Sequence, residues 1–264
     1  MDIIKPFILG IVEGITEFLP VSSTGHLILA GDMLGFTGEK AKVFEIFIQM
    51  GAILAVIWLF RERVLSSIKG IGTEKTNKFL LNLFVAFLPA AFFGLLTHSL
   101  IKHYLFSPIT VAFALILGGI VIFIIERTVG LPHIMDIDNV SLKKAFGIGL
   151  AQVLALFPGV SRAGATIMGG MVIGLERKVA TEFSFFLAIP TMFAATSYDL
   201  FKNLHSLSTN DVPVFAIGFI TSFFSAILVI KALIGFVTRH NFNSFALYRI
   251  VFGIVVLSYY LYNI

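Results

Sequence analysis

Long apolar runs dominate this sequence, and short polar segments separate them. Six of the runs approach the roughly 20 residues that a helix needs to cross a bilayer. They cover residues 43–60, 79–101, 109–125, 180–198, 213–236 and 245–262. The runs lack the alternation of apolar and polar residues that marks a membrane barrel strand, so the pattern predicts about six spanning helices.

Two further apolar stretches are interrupted near their centres by proline, glycine and polar residues. One covers residues 7–30 and is broken after Pro20, and the other covers residues 146–173 and is broken after Pro158. Broken backbone at membrane depth is tolerated only where protein buries it or where it lines a cavity. We therefore predict two re-entrant helix–loop–helix segments.

The two interruptions resemble each other, which indicates an internal repeat. Pro20-Val-Ser-Ser-Thr-Gly25 matches Pro158-Gly-Val-Ser-Arg-Ala-Gly164 with one inserted residue, and three predicted spans follow each motif. An odd number of spans between two re-entrant segments inverts the second unit relative to the first. We predict an all-α integral membrane fold with an inverted-topology repeat. It is a single domain over residues 1–264, with repeats of about 1–130 and 140–264.

Composition supports the membrane assignment, since 58% of the residues are hydrophobic, 13% are charged and the mean hydropathy is +0.97. These values lie outside the range of soluble globular domains. The absence of cysteine excludes disulfides, thiolate metal sites and a cysteine nucleophile. A cleaved signal peptide is not expected, because Glu13 and Glu17 interrupt the first apolar stretch.

Basic residues are distributed unequally between the loops on the two sides of the predicted bundle. The loops at 61–78, 126–144, 177–178 and 239 carry eleven lysines and arginines, and the opposite side carries five. The positive-inside rule makes the richer side cytoplasmic, so both termini and the mouth of the first motif face outward. We assign the net charge of +4 to this topology and predict no nucleic-acid partner.

Glu13 and Glu17 are spaced four residues apart, which places them on one face of a helix. No lysine or arginine lies three or four residues away to neutralise them. In a low-dielectric site, either one carboxyl group is protonated or a cation lies between the two. Oxygen ligands suit a hard cation, Mg²⁺ or Ca²⁺. The alternative is an amphipathic helix whose glutamates face water.

Ser22, Ser23 and Thr24 supply hydroxyl groups at the start of a helix that we expect to begin near Gly25. They are candidates for a nucleophile and for substrate binding, and capping of that helix is the alternative role. His26 follows and titrates near neutral pH, so it is a candidate proton carrier. A structural role within an apolar face is equally consistent with its position.

Arg162 is the most informative residue of the second motif, since residues 150–174 contain no acidic partner for it. Its partner is either Glu13 or Glu17 across the repeat interface, or a phosphate group bound in bidentate fashion. The simpler alternative is a purely structural ion pair with a glutamate. Ser161 adds a hydroxyl group beside Arg162.

These side chains together suit phosphoryl transfer, which requires positioning and neutralisation of charge. The apolar surroundings favour a phosphate carried on a lipid. A nucleotide would require a P-loop, and the sequence contains none.

The segments EGITEFLPVSSTGHL, EIFIQMGAILAV, LAQVLALFPGVSRAGAT and ATEFSFFLAIPTM resemble the undecaprenyl-diphosphate phosphatase family, also called bacitracin-resistance proteins. The resemblance covers nearly the whole chain. It implies a hydrolase of the bacterial inner membrane that removes one phosphate from the C55 isoprenyl diphosphate released by cell-wall polymer synthesis. It also implies an outward-facing site, a divalent cation and a homodimer.

Carried over by position, the resemblance places the acidic pair at Glu13 and Glu17 and the nucleophile at Ser23, with Thr24 beside it. It places the phosphate-binding arginine at Arg162 with Ser161, and the histidine at His26. Ala163 stands where the family commonly has a serine, which puts an essential role for that hydroxyl in doubt.

Four further polar residues, Glu45, Gln49, Gln152 and Glu182, lie within the predicted membrane segments. They either support the site from behind or form hydrogen bonds between helices. A flippase of the same isoprenyl phosphate is the alternative function, because inverted repeats with broken helices also build transporters.

Overall fold

The computed structural model describes residues 3–105, 107–203, 208 and 211–262. Within these residues the regular secondary structure is helical, and it comprises eleven α-helices and two short 3₁₀ turns at Ile137–Asn139 and Leu154–Leu156. The α-helices are α1 (Ile4–Thr16), α2 (Ser23–Met33), α3 (Glu39–Leu59), α4 (Arg61–Lys69), α5 (Glu74–Tyr104), α6 (Pro108–Thr128), α7 (Leu142–Val153), α8 (Arg162–Val172), α9 (Arg177–Asn203), α10 (Val212–Val237) and α11 (Asn243–Tyr262).

Six of these helices, α3, α5, α6, α9, α10 and α11, are long and apolar enough to cross a membrane. This confirms the predicted all-α membrane fold with six spans. Residues 61–78 were predicted to form a loop, but most of them are helical, in α4 and the first turn of α5. The side chain of Thr73 accepts a hydrogen bond from the backbone N–H of Thr76, so the cap starts α5 before the apolar run begins.

The two interrupted stretches form helix–turn–helix segments, α1 with α2 and α7 with α8. Ser22 immediately precedes α2 with φ 69°, and Ser161 immediately precedes α8 with φ 75°. They are the only non-glycine residues with positive φ among those described. Such a conformation is costly for a residue with a side chain, so its recurrence supports the interpretation of the two halves as repeats.

Helix packing crosses between the two predicted repeats. The first helix of each segment packs on a long helix of the other half, α1 on α10 and α7 on α5, while α6 packs on α11 and α3 on α9. This exchange is the pattern expected of two units related by a pseudo-two-fold axis. The predicted boundary at 130–140 lies in the connection between α6 and α7.

Phe18 anchors the turn between α1 and α2 in the main hydrophobic core. Its ring is fully buried and meets the ring of Phe185 on α9 edge to face, with centroids 5.4 Å apart. The contact fixes the turn against α9, and so places the polar residues on either side of Phe18.

Candidate active site

A cavity of about 230 Å³ lies where the two helix–turn–helix segments meet. Residues from both turns line it, together with residues of α3, α5, α7 and α9. Six of the predicted site residues are in the lining, Glu17, Ser22, Ser23, Thr24, Ser161 and Arg162. The structure therefore brings the two sequence-distant motifs to one site.

A chain of hydrogen bonds connects the two motifs through Glu17. The hydroxyl group of Ser23 donates to Glu17 Oε2 at 2.6 Å, and Arg162 Nη2 donates to Glu17 Oε1 at 3.1 Å. Glu17 and Ser23 are both only 8% exposed. The carboxylate is thus in position to accept the proton of Ser23, while Arg162 fixes its orientation.

Arg162 is held from the side of α9. Its Nη1 donates to the carbonyl oxygen of Ser184 at 2.9 Å and to the hydroxyl group of Ser184 at 3.2 Å, and its guanidinium lies over the ring of Phe18. The hydroxyl group of Thr166 donates to that of Ser184 at 2.7 Å. Arg162 Nε is buried and has no partner within the described residues, so one N–H remains for a ligand.

The serines of the two turns differ in their contacts. Ser161 Oγ accepts a hydrogen bond from the backbone N–H of Gly164 at 3.0 Å and therefore caps α8, and it donates to the carbonyl oxygen of Leu19 at 3.5 Å. Ser22 makes no such side-chain cap on α2. The N-terminus of α2, which begins at Ser23, consequently keeps its backbone N–H groups beside the cavity, where an anion is favoured.

Glu13 lies behind the cavity, one turn of α1 before Glu17. Its side chain is fully buried, and neither carboxylate oxygen has a partner in the described part of the chain. Its charged neighbours are Glu17, Glu45 and Arg162. A cation held by Glu13 fits these free oxygens. Among the described residues no group of three or more His, Cys, Asp or Glu side chains is placed to hold a metal ion, so water or substrate would have to complete the coordination.

His26 lies outside the cavity lining. Its Nδ1 is 2.8 Å from the carbonyl oxygen of Ser22, its Nε2 is 2.7 Å from the hydroxyl group of Tyr248, and its ring stacks on Phe252 with centroids 4.1 Å apart. Both ring nitrogens are thus engaged away from the hydroxyl group of Ser23. The contacts tie the first turn to α11.

Arg249 on α11 is an organising residue that sequence reasoning did not single out. It is 1% exposed, and its guanidinium donates to five backbone carbonyl oxygens. These are Pro20 at 3.1 Å, Gly159 at 3.0 Å, Val160 at 2.9 Å, Ala114 at 3.1 Å and Leu115 at 3.3 Å. One side chain thereby joins both turns to α6. The available signal was a lone arginine in a run, 245–262, that contains no acidic residue.

These features define a class, a polytopic helical membrane protein in which two helix–turn–helix segments build a charged cavity suited to phosphoryl transfer. Residues 6–255 match the family described as Bacitracin resistance protein BacA, and the chain belongs to that family. This confirms the resemblance seen in the sequence.

Curated relatives cover nearly the whole chain. A protein of Methylobacillus flagellatus is 55% identical over an alignment of 268 positions, which covers 98% of this chain and 100% of the relative. A protein of Nitrosospira multiformis is 57% identical over an alignment of 259 positions, which covers 97% of this chain and 94% of the relative. Both carry the name undecaprenyl-diphosphatase.

Proposed function

We propose that this protein is a membrane-embedded hydrolase that converts undecaprenyl diphosphate to undecaprenyl phosphate and inorganic phosphate. The names of the relatives support the substrate. The observation that carries the chemistry is the 2.6 Å hydrogen bond from the hydroxyl group of Ser23 to Glu17, with Arg162 on the other oxygen of that carboxylate. The product is the lipid carrier, which is then used again in the synthesis of peptidoglycan and other cell-wall polymers.

The proposed reaction begins with the diphosphate in the cavity, against the N-terminus of α2 and the free N–H of Arg162. Ser23 Oγ attacks the terminal phosphorus as its proton passes to Glu17 Oε2. The bond from that phosphorus to the bridging oxygen breaks, and prenyl monophosphate leaves with the electron pair. Water then attacks the phosphoserine, releasing one proton to solvent, and Ser23 recovers its proton from Glu17 as inorganic phosphate departs.

A divalent cation, Mg²⁺ or Ca²⁺, belongs to the proposal as a cofactor held by Glu13 together with Glu17. The buried carboxylate oxygens of Glu13 without partners support this assignment. When bound, the cation supplies positive charge that offsets the charge of the diphosphate. The test is phosphate release from a long-chain prenyl diphosphate in detergent, with a chelator and after readdition of each metal. Absence of release by the wild type with every divalent cation would overturn the proposed activity.

We further propose that the protein lies in the bacterial inner membrane with the cavity open to the outer face. The excess of basic residues on one set of loops supports this orientation. The chain has no native cysteine, so single cysteines can report on topology. Lys40→Cys should react with a membrane-impermeant maleimide in intact cells, and Lys75→Cys should react only after the cells are opened. The reverse pattern would contradict the orientation.

We also propose that the protein forms a homodimer, and the family resemblance is the basis for this. Its test is the molar mass of the detergent-solubilised protein, measured by light scattering with the detergent subtracted. The flippase alternative gains no specific support, because the shared repeat architecture does not fix function. Faster movement of carrier lipid across vesicles by a variant that does not hydrolyse it would favour that alternative.

A further inference from the structure

The lining of the cavity includes a buried donor without a partner that the proposed mechanism does not use, the side-chain amide of Gln152 on α7. Gln152 is 1% exposed and lines the cavity. Its Oε1 accepts a hydrogen bond from the hydroxyl group of Thr191 at 3.4 Å, whereas its Nε2 has no partner in the described ranges. A buried N–H without an acceptor is destabilising, so its position beside a cavity indicates that a ligand provides the acceptor.

Counted back from the serine of its turn, Gln152 has the same position in the second segment that Glu13 has in the first. Each residue stands nine positions before the positive-φ serine that precedes the second helix of its segment, Ser22 for Glu13 and Ser161 for Gln152. Both side chains are buried, and both carry atoms without partners among the described residues. The two positions therefore share register, burial and unsatisfied polar character.

Packing supports this equivalence. Three residues before Glu13 and Gln152 lie Gly10 and Gly149, and each permits close approach of a helix from the other repeat. A Cβ on Gly10 would overlap a backbone carbonyl of α10, and a Cβ on Gly149 would overlap a backbone carbonyl of α5. The corresponding glycines thus set α1 and α7 against equivalent partners.

The two repeats contribute opposite chemistry at matched positions. The first places the carboxylate Glu13 where the second places the amide Gln152, and it places the hydroxyl group of Ser23 where the second places the guanidinium of Arg162. The first repeat supplies the nucleophile and the oxygen ligands for a cation. The side-chain donors for an anion, on Gln152 and Arg162, come from the second repeat, and the backbone N–H groups of α2 add donors from the first.

We propose that Gln152 is a further substrate-binding residue, whose Nε2 donates a hydrogen bond to a non-bridging oxygen of the diphosphate. This inference rests on the proposed function, and it identifies a second side-chain donor to the substrate besides Arg162. Thr191 holds the amide oxygen and so orients the N–H groups of Gln152. Because the contact is made before and during reaction, its loss should weaken binding more than turnover.

The test uses purified full-length protein with two variants, Gln152→Met, which removes the amide, and Gln152→Glu, which keeps the shape but replaces the donor with an acceptor. One measurement is the Kd of methylenediphosphonate, a diphosphate that cannot be hydrolysed, by calorimetry. The other is KM and kcat for a long-chain prenyl diphosphate. Thr196→Val is the matched control, since Thr196 is also buried with a hydroxyl group lacking a partner in the described chain, but does not line the cavity.

We expect Gln152→Met to raise the Kd and the KM by about tenfold, with kcat much less affected, and Gln152→Glu to raise both further. Thr196→Val should leave both values near wild type. A Kd within about twofold of wild type in either folded Gln152 variant would overturn the assignment, as would failure of the wild type to bind the probe. If Gln152→Met does not fold, Gln152→Glu decides. If the wild type binds the probe but releases no phosphate, the proposed hydrolysis is refuted. The Kd values of the Gln152 variants would still decide whether Gln152 binds the diphosphate.

Discussion

Replacing Arg249 with methionine should remove the hydrogen bonds that hold the two turns together, while preserving most of the volume of the side chain. The guanidinium reaches the turn carbonyls of Pro20, Gly159 and Val160 at 2.9–3.1 Å, and it also bonds to two carbonyl oxygens of α6. Hydrogen bonds from a charged donor each contribute about 1.5–3 kcal/mol. The variant also avoids the free-energy cost of burying a charged guanidinium, which offsets part of this sum. We therefore expect a net loss of about 3–5 kcal/mol in the free energy of unfolding.

The assay is unfolding in detergent, followed by phosphate release measured well below the unfolding temperature. Misaligned turns should reduce kcat/KM by about a hundredfold or more, since a displacement of 1 Å at a reacting group has a cost of that order. Arg249→Lys should be intermediate, as an ammonium group has fewer donors and no planar fork. Arg239→Met, in a short connecting segment, is the control. Wild-type stability and activity in Arg249→Met would refute the argument.

Three further predictions concern charged groups. Glu17→Gln should lower kcat by about 10²–10⁴ in the phosphate-release assay, because the proton acceptor of the nucleophile is lost, and near-normal turnover would exclude this role. Arg162→Lys should lower kcat/KM by about tenfold to a hundredfold, since one ammonium group cannot replace the oriented guanidinium; unchanged kinetics would contradict it. Burial raises the pKa of Asp138, but hydrogen bonds from Arg63 and Lys75 outweigh this and leave the pKa below its usual 3.8. The depressed pKa stabilises the fold above about pH 4, and this contribution is lost as the pH falls through the folded-state pKa. Asp138→Asn should therefore reduce the acid-induced drop in unfolding temperature between about pH 5 and 3, and an identical drop in both proteins would refute the link.

Much of the fold could be predicted because membrane burial leaves a strong signal in apolar runs. Breaks at Pro20 and Pro158 were sufficient to identify the helix–turn–helix segments, and the recurrence of the motif is the basis of the predicted repeat. The short helix α4 was missed because its polar sequence carries no membrane signal. Its exposed Leu65 and Ile68 show that a weak apolar face was present.

The sequence predicted site contacts best where burial of a charged side chain without a partner would cost free energy. Arg162 lacked an acidic residue nearby in sequence, so its predicted partner was Glu13 or Glu17 across the repeats or a phosphate group, and the structure pairs it with Glu17. Distances along the chain could not show that Arg249 bonds to carbonyls of both turns. Nor could they show that His26 bonds to Ser22 and Tyr248, because those contacts depend on how α11 packs against the first motif.

The most direct test of the account is the rate of phosphate release by Ser23→Ala in detergent, with long-chain prenyl diphosphate and the metal that supports the wild type. Ser222→Ala is the matched control, a fully buried serine on α10 outside the cavity lining. We expect Ser23→Ala to lose about 10³-fold or more in kcat while retaining the wild-type unfolding temperature and its affinity for methylenediphosphonate. Ser222→Ala should turn over substrate at nearly the wild-type rate. Full activity in Ser23→Ala would contradict the central claim that Ser23, activated by Glu17, attacks the terminal phosphorus.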